Sequence, residues 1–378
     1  MKKIISFLLI CSLLLGMTGC VQGGQPGPSD PEKKNGKIGI ITGTMAQSAE
    51  EYQTAHALKE QYGDRVVTAT YPDHFAEKTE QTIAAVTNMA SDPDVKVILF
   101  VQAIPGTVEA IEKVRESRDD ILFICGVFGE DPVKIGEASD ICIQADEISM
   151  GTSVVDQAAK QGAKTFVHIS FERHLNYPMV AARRDLMKKR CEEQNIAFVE
   201  AIAPDPTEES GVLSTHAWIA ENIKDFVDQY GKDTAFFGTN CAMQTPLIQQ
   251  TAELGAIYPL SCCPSPYQGY PEAFEISTEG QEDIGALLEQ IGTKVDEYGN
   301  SGRMSTWAMP INSRIIQAGF AYGMKWMDGE ITERCDEAAL TAELKALTET
   351  EFTMTKYKDA DKGELDNYFM ISCPFYDF

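Results

Sequence analysis

Residues 95–129 read VKVILFVQAIPGTVEAIEKVRESRDDILFICGVFG. An apolar run from Val95 to Val101 is followed by Pro105-Gly106, then by Val108, Ile111 and Val114 at three-residue spacing, then by a second apolar run, Ile121 to Cys125. A continuous apolar run fits a strand buried on both faces, and the three-residue period fits one apolar stripe of a helix. Residues 95–129 therefore predict a strand, a crossover helix and a second strand, the unit from which parallel sheets are built.

The same alternation extends in both directions. Upstream, KIGIIT at 37 and RVVTA at 65 are strand candidates, and Ile83, Val86 and Met89 mark a helix between strands. Downstream, DICIQ at 140 closes a first series. After a helical stretch over 147–162, KTFVHI at 164, IAFVEA at 196, TAFFG at 234 and IYPLSC at 257 form a second series. The expected fold is α/β, with two doubly wound parallel-sheet lobes joined by a hinge that the chain crosses more than once. The expected boundaries are 37–146 plus about 303–335 for the first lobe and 147–302 for the second. The remainder, 336–378, is expected as an irregular tail packed on the lobes. Two open parallel sheets that face each other enclose a cleft at the carboxyl ends of their strands.

The N-terminal region reads differently. Lys2 and Lys3 precede an apolar stretch over residues 4–16, only 13 long, where a spanning helix needs about 20. Residues 1–19 are therefore expected to be a signal peptide. Met17-Thr18-Gly19-Cys20 resembles a bacterial lipobox, which implies cleavage before Cys20 and lipidation of its thiol. Residues 20–36 (CVQGGQPGPSDPEKKNG) are too rich in Gly, Pro and polar residues to form a core and suit a flexible tether. The expected location is the extracytoplasmic face of a bacterial membrane, held through Cys20.

Charge removes one class of partner. The chain carries 57 acidic against 32 basic residues, a net charge of −25, whereas nucleic-acid binding depends on clustered Lys and Arg. Ten cysteines are present. Setting aside Cys11 in the signal and Cys20 leaves eight, an even number that permits disulfides, and Cys125 and Cys142 in strand-like runs fit small buried hydrophobes. No CxxC spacing occurs, and the five histidines do not cluster, so neither a metal nor a cofactor is expected. GxGxxG, GxxxxGK[ST], GxSxG and HExxH are all missing from the chain. Carboxylates are abundant on helix faces and carry little information there.

Candidate ligand-binding residues are therefore taken from strand ends. In the first lobe they are Thr44, Gln47, Tyr71, Gln102 and Phe128. In the second they are Phe171, Arg173, His174, Asn240, Gln244 and Tyr267. The set is polar and aromatic and holds no nucleophile–base pair, so no enzyme activity is expected. It suits a small ring-bearing ligand, with Arg173 available to an anionic group. An enzyme using Glu172 and His174 as acid and base is the weaker alternative.

FFGTNCAMQTPL at 236, together with the lipobox and the paired lobes, resembles type I periplasmic substrate-binding proteins, including their basic-membrane-lipoprotein branch. HISFERHL, RRDLMKKRCEE, DTAFFGTNCAMQTPL, IYPLSCCPSPYQGYP and STWAMP resemble a family of uncharacterised bacterial lipoproteins related to that superfamily, over residues 37–330. The resemblance implies a monomeric, lipid-anchored receptor that closes on a small molecule, a nucleoside or another ring-bearing metabolite. Its partner would be an ABC transporter permease, or alternatively a membrane kinase or chemoreceptor to which it signals. It also implies ligand contact at Asn240.

Overall fold

The computed structural model describes residues 36–127, 129–278 and 283–378. Cys20 and the segments read as signal and tether, except Gly36, lie outside the described residues, as does Phe128. Among the described residues no helix is long and apolar enough to cross a membrane.

Five strands form in the first series: β1 (Lys37–Thr42), β2 (Val66–Thr70), β3 (Val95–Phe100), β4 (Leu122–Cys125) and β5 (Ile141–Ala145). All pair in parallel, in the spatial order β2-β1-β3-β4-β5. The central strands are buried along nearly their whole length, which is why they read as unbroken apolar runs rather than alternating ones. Gly39 in β1 permits one close approach, since a Cβ there would stand 2.0 Å from Met89 Sδ on the helix Thr79–Ala90.

In the second lobe β6 (Thr165–Ser170) lies between β7 (Ala197–Ile202) and β8 (Thr234–Gly238), again in parallel. The run at 257 does not form the expected strand. It contributes isolated parallel bridges, Ile257 to Ala235 and Tyr258 to Met304. Pro259 has no N–H to give to a ladder, and this limits the pairing. A short β9 (Ser305–Trp307) completes this side.

The chain returns to the first lobe later than expected. Residues 305–307 belong to the second lobe, and the return begins with the helix Ile311–Met327, which packs on β1, β3 and β5. Gly319 and Gly323 let it lie close, because Cβ atoms there would stand 2.5 Å from Leu99 Cδ1 and 3.1 Å from Ile38 Cδ1 and Val97 Cγ1.

Residues 336–378 are not an irregular tail. β10 (Thr353–Asp359) and β11 (Gly363–Ser372) form an antiparallel hairpin, and β11 pairs in parallel with β5, so the first sheet has seven strands. β12 (Phe375–Asp377) then pairs with β9 in the second lobe. The physical reason is burial: Tyr368, Phe369 and Ile371 cover an otherwise open edge of the first sheet and become buried there. Three crossing segments thus connect the lobes, near residues 146, 308–310 and 373–374. The Ser149 and Ser372 hydroxyls, 2.9 Å apart, tie the first crossing to the third.

Candidate functional site

The carboxyl ends of the two parallel sheets face each other, and two groups of polar side chains gather between them. The first is built on the opening turn of the helix Ala49–Tyr62. Glu51 is fully buried, and its carboxylate accepts from Gln102 Nε2 at 2.9 and 3.0 Å and from Asn312 Nδ2 at 2.6 Å. Glu50 accepts from the Ser313 hydroxyl at 2.7 Å and is also hydrogen-bonded by Ser265 of the second lobe. Neither carboxylate has a salt-bridge partner among the described residues. Burial outweighs these hydrogen bonds and pushes Glu50 up to about 7 and Glu51 up to about 8. Tyr71, also buried, lies close enough to Glu51, Cys241 and Cys263 that their charges oppose its ionisation, although burial is the larger cause.

The second group surrounds Arg173, which lies in the short helical turn Glu172–Leu175 after β6. Its guanidinium grips Asp205 through two bonds, Nε to Oδ2 at 2.7 Å and Nη2 to Oδ1 at 3.1 Å, and donates a third to the Tyr177 hydroxyl. It also lies 5.1 Å from the centre of the Phe171 ring and 5.4 Å from that of Phe75, a first-lobe residue. Burial works against the charge on both partners, yet their mutual bonds prevail: Asp205 is held below its ordinary value and Arg173 above. Asp205 further accepts from the Thr207 backbone N–H and hydroxyl at 2.9 and 2.8 Å. Thr207 in turn meets the first lobe, its carbonyl oxygen 2.9 Å from His74 Nδ1.

The other sequence candidates have definite places. Thr44 and Gln47 both bond to Asp73, joining the loops after β1 and β2, with Gln47 Nε2 3.2 Å from the Asp73 carbonyl. His174 stacks on Phe171 at 4.7 Å and bonds the Thr239 hydroxyl at 3.1 Å. Burial first, and Arg173 second, push it down to about 3, so it is neutral. Glu172 is exposed, and no bond joins it to His174. Asn240 caps the turn Cys241–Met243 by accepting from the Ala242 N–H at 2.9 Å. Tyr267 lies near Arg314.

Gln244 is committed to internal structure. It is fully buried, donating to the Gly238 and Asn240 carbonyls at 3.1 and 2.7 Å and accepting from Tyr258.

Several site residues were not singled out from sequence: Glu50, Glu51, Tyr177, Asp205, Asn312 and Arg314. Glu50 and Glu51 look like solvated helix residues until the lobes close over them. Cys241, however, follows β8, and Cys262 and Cys263 follow the segment bridged to it at Ile257, and the fold gathers all three although no CxxC spacing announces them. Position after a strand was the signal that could have grouped them.

A family model described as "Protein of unknown function (DUF3798)" matches residues 36–305. Two uncharacterised proteins of Treponema pallidum (strain Nichols) are each 32% identical, over 169 and 176 residues. Each match spans 45% of this chain, and the two span 78% and 80% of those proteins. A candidate transcriptional regulator from Clostridium difficile 630 superposes with a TM-score of 0.70 at 21% identity, over 91% of this chain and 99% of that one. An ABC transporter periplasmic solute binding protein from Actinobacillus succinogenes 130z, solved with D-allose, superposes with a TM-score of 0.53 at 12% identity, over 78% and 92%. At such identities the superpositions speak to the fold alone, which is that of type I periplasmic binding proteins. The family model spans most of the chain, and the chain belongs to the DUF3798 family.

Proposed function

We propose that the protein is a lipid-anchored extracytoplasmic receptor that closes on a small polar, ring-bearing molecule and presents it to an ABC importer. One observation carries this reading: groups from both lobes and from the crossing helix converge on Glu50 and Glu51. Gln102 belongs to the first lobe, Ser265 to the second, and Asn312 and Ser313 to the helix Ile311–Met327. A solute contacting this set touches both lobes at once, so its binding energy is available to favour closure. Tyr71, Phe75, Phe171 and Tyr177 supply ring faces beside it. A receptor needs no acid–base pair, and Glu172 and His174 do not form one.

The test is thermal unfolding of the purified chain against nucleosides, sugars, amino acids, peptides and vitamins. A ligand at about 1,000 times its dissociation constant adds roughly 4 kcal/mol, which raises the midpoint by several degrees. The expected result is a shift by a single chemical class, accompanied by compaction in solution scattering. A flat response across all panels, in protein refolded to remove carried-over ligand, overturns the receptor reading.

A further inference from the structure

Three thiols meet at the carboxyl end of the second lobe's strands. Cys241 follows β8, and Cys262 and Cys263 follow the segment that bridges β8 through Ile257. All three sulfurs lie within 4.8 Å of one another. Cys241 Sγ stands 3.3 Å from Cys263 Sγ and 3.7 Å from Cys262 Sγ. Three thiolates on a tetrahedral Zn2+, each at about 2.3 Å, stand roughly 3.7 Å apart. The observed spacing already approximates that arrangement, whereas a disulfide requires two sulfurs to approach to about 2.05 Å.

The surroundings favour negative sulfur. Gln244 Nε2 stands 3.5 Å from Cys262 Sγ. Arg183 is 1% exposed, and its Nε and Nη1 have no hydrogen-bond partner. Its nearest carboxylate oxygen is Glu147 Oε2, 3.4 Å from Nη1, and burial pushes Glu147 up toward its neutral form. Arg183 lies near enough to Cys262 to act on it through its charge. Three thiolates and one divalent cation leave a single negative charge, which Arg183 is placed to balance. On the facing side Cys263 is hydrogen-bonded with Asn312 and lies near Glu51 of the first lobe.

We propose that Cys241, Cys262 and Cys263 form a three-thiolate site for one thiophilic divalent cation of the Zn2+ class, at the cleft between the lobes. The site stands on the sulfur geometry and does not require the receptor reading, although the two share a cleft.

The test is titration of the full chain, reduced and stripped with chelator, using Cd2+ as the spectroscopic probe and Zn2+ in competition. The expected result is one equivalent per chain, a thiolate-to-metal charge-transfer band and proton release. Alkylation mapped by mass spectrometry should find these three cysteines protected by the metal. Cys241→Ser and Cys263→Ser should each weaken binding by at least about a hundredfold, exceeding the 10- to 100-fold typical of residues behind the ligands. Cys335→Ser should leave binding unchanged.

The alkylation map of the unaltered chain decides the question even where a serine variant fails to fold. Equal alkylation with and without metal overturns the site, as does protection confined to other cysteines. So does a Cys241 disulfide to Cys262 or Cys263 that survives in protein isolated without reductant and resists reduction in the folded state. A failed metal titration alongside a solute-induced midpoint shift removes this site and leaves the receptor. Metal binding without any solute response leaves this site and removes the receptor.

Discussion

Glu51 and Arg173 both sit between the lobes, both largely withdrawn from water, and the protein manages their charges in opposite ways. Arg173 has a counter-charge: Asp205 meets it in a two-bond fork, and both groups stay ionised across the physiological range. Glu51 and its neighbour Glu50 have neutral donors instead, Gln102, Asn312, Ser313 and Ser265. Among the described residues no salt bridge reaches them, and although Arg314 acts on Glu50 through its charge, burial dominates and the carboxyls prefer to hold their protons. The Arg173 group is thus a fixed clamp that positions Thr207 against His74, and the Glu50–Glu51 group is a set of hydrogen-bonding atoms that titrates near neutral pH.

The largest effect is expected at Asp205. Asp205→Ala leaves a half-buried guanidinium unpaired and frees Thr207, at a cost of about 3 kcal/mol by analogy with other disrupted buried pairs. Chemical denaturation should register that loss. Asp205→Asn, which can still accept from Thr207, should cost less, and equal losses from the two variants would show that charge is not what the clamp supplies.

The next largest effect concerns pH. Glu50 and Glu51 titrate near the ordinary 4.5 when unfolded but at about 7 and about 8 in the fold. The folded protein binds more protons across that window, so these groups contribute falling stability as pH rises from about 5 through about 8. Glu51→Gln imitates the protonated form. It should therefore raise the unfolding midpoint relative to the unaltered chain at pH 8 and change it far less at pH 5. A difference between the two proteins that does not vary with pH would remove the distinction between clamp and titrating group.

The smallest effect belongs to His74. His74→Ala removes one cross-lobe hydrogen bond to the Thr207 carbonyl, worth about 1 kcal/mol. Global stability should barely change, while the balance between open and closed lobes should shift roughly fivefold toward open, read by solution scattering. An unchanged scattering profile would mean that the other cross-lobe contacts, Arg173 on Phe75 and Ser265 on Glu50 among them, set that balance without it.

Where sequence and structure part, the cause lies in contacts between distant segments. TMTKYKDADKGELDNYFMIS at 353–372 contains a strand with alternating exposure, a turn ending at Gly363 and a second strand with an apolar end. That is a hairpin pattern, and Gly363, at φ 79°, takes the left-handed turn conformation. It reads as an irregular tail only when the chain is followed solely for parallel-sheet units. Conversely, IYPLSC has a strand's apolar run, but Pro259 interrupts its ladder. Gln244 shares the strand-end position of the cleft residues, and its commitment to Tyr258 and two backbone carbonyls appears only once the second lobe is assembled.

Local sequence pattern sufficed for the two α/β lobes, for the strands β1–β8 and for the residues that can approach a cleft, because apolar runs and three-residue periods are local signals of burial; β9–β12 did not follow from it. Tertiary structure alone decided the chemistry of that cleft. Glu51 and Gln102 are 51 positions apart, Glu51 and Asn312 are 261 apart, and Cys241 and Cys263 are 22 apart. Desolvation, hydrogen bonding and sulfur spacing act through space, so a carboxylate that looks solvated on its helix becomes a buried acid, and three scattered cysteines become one cluster.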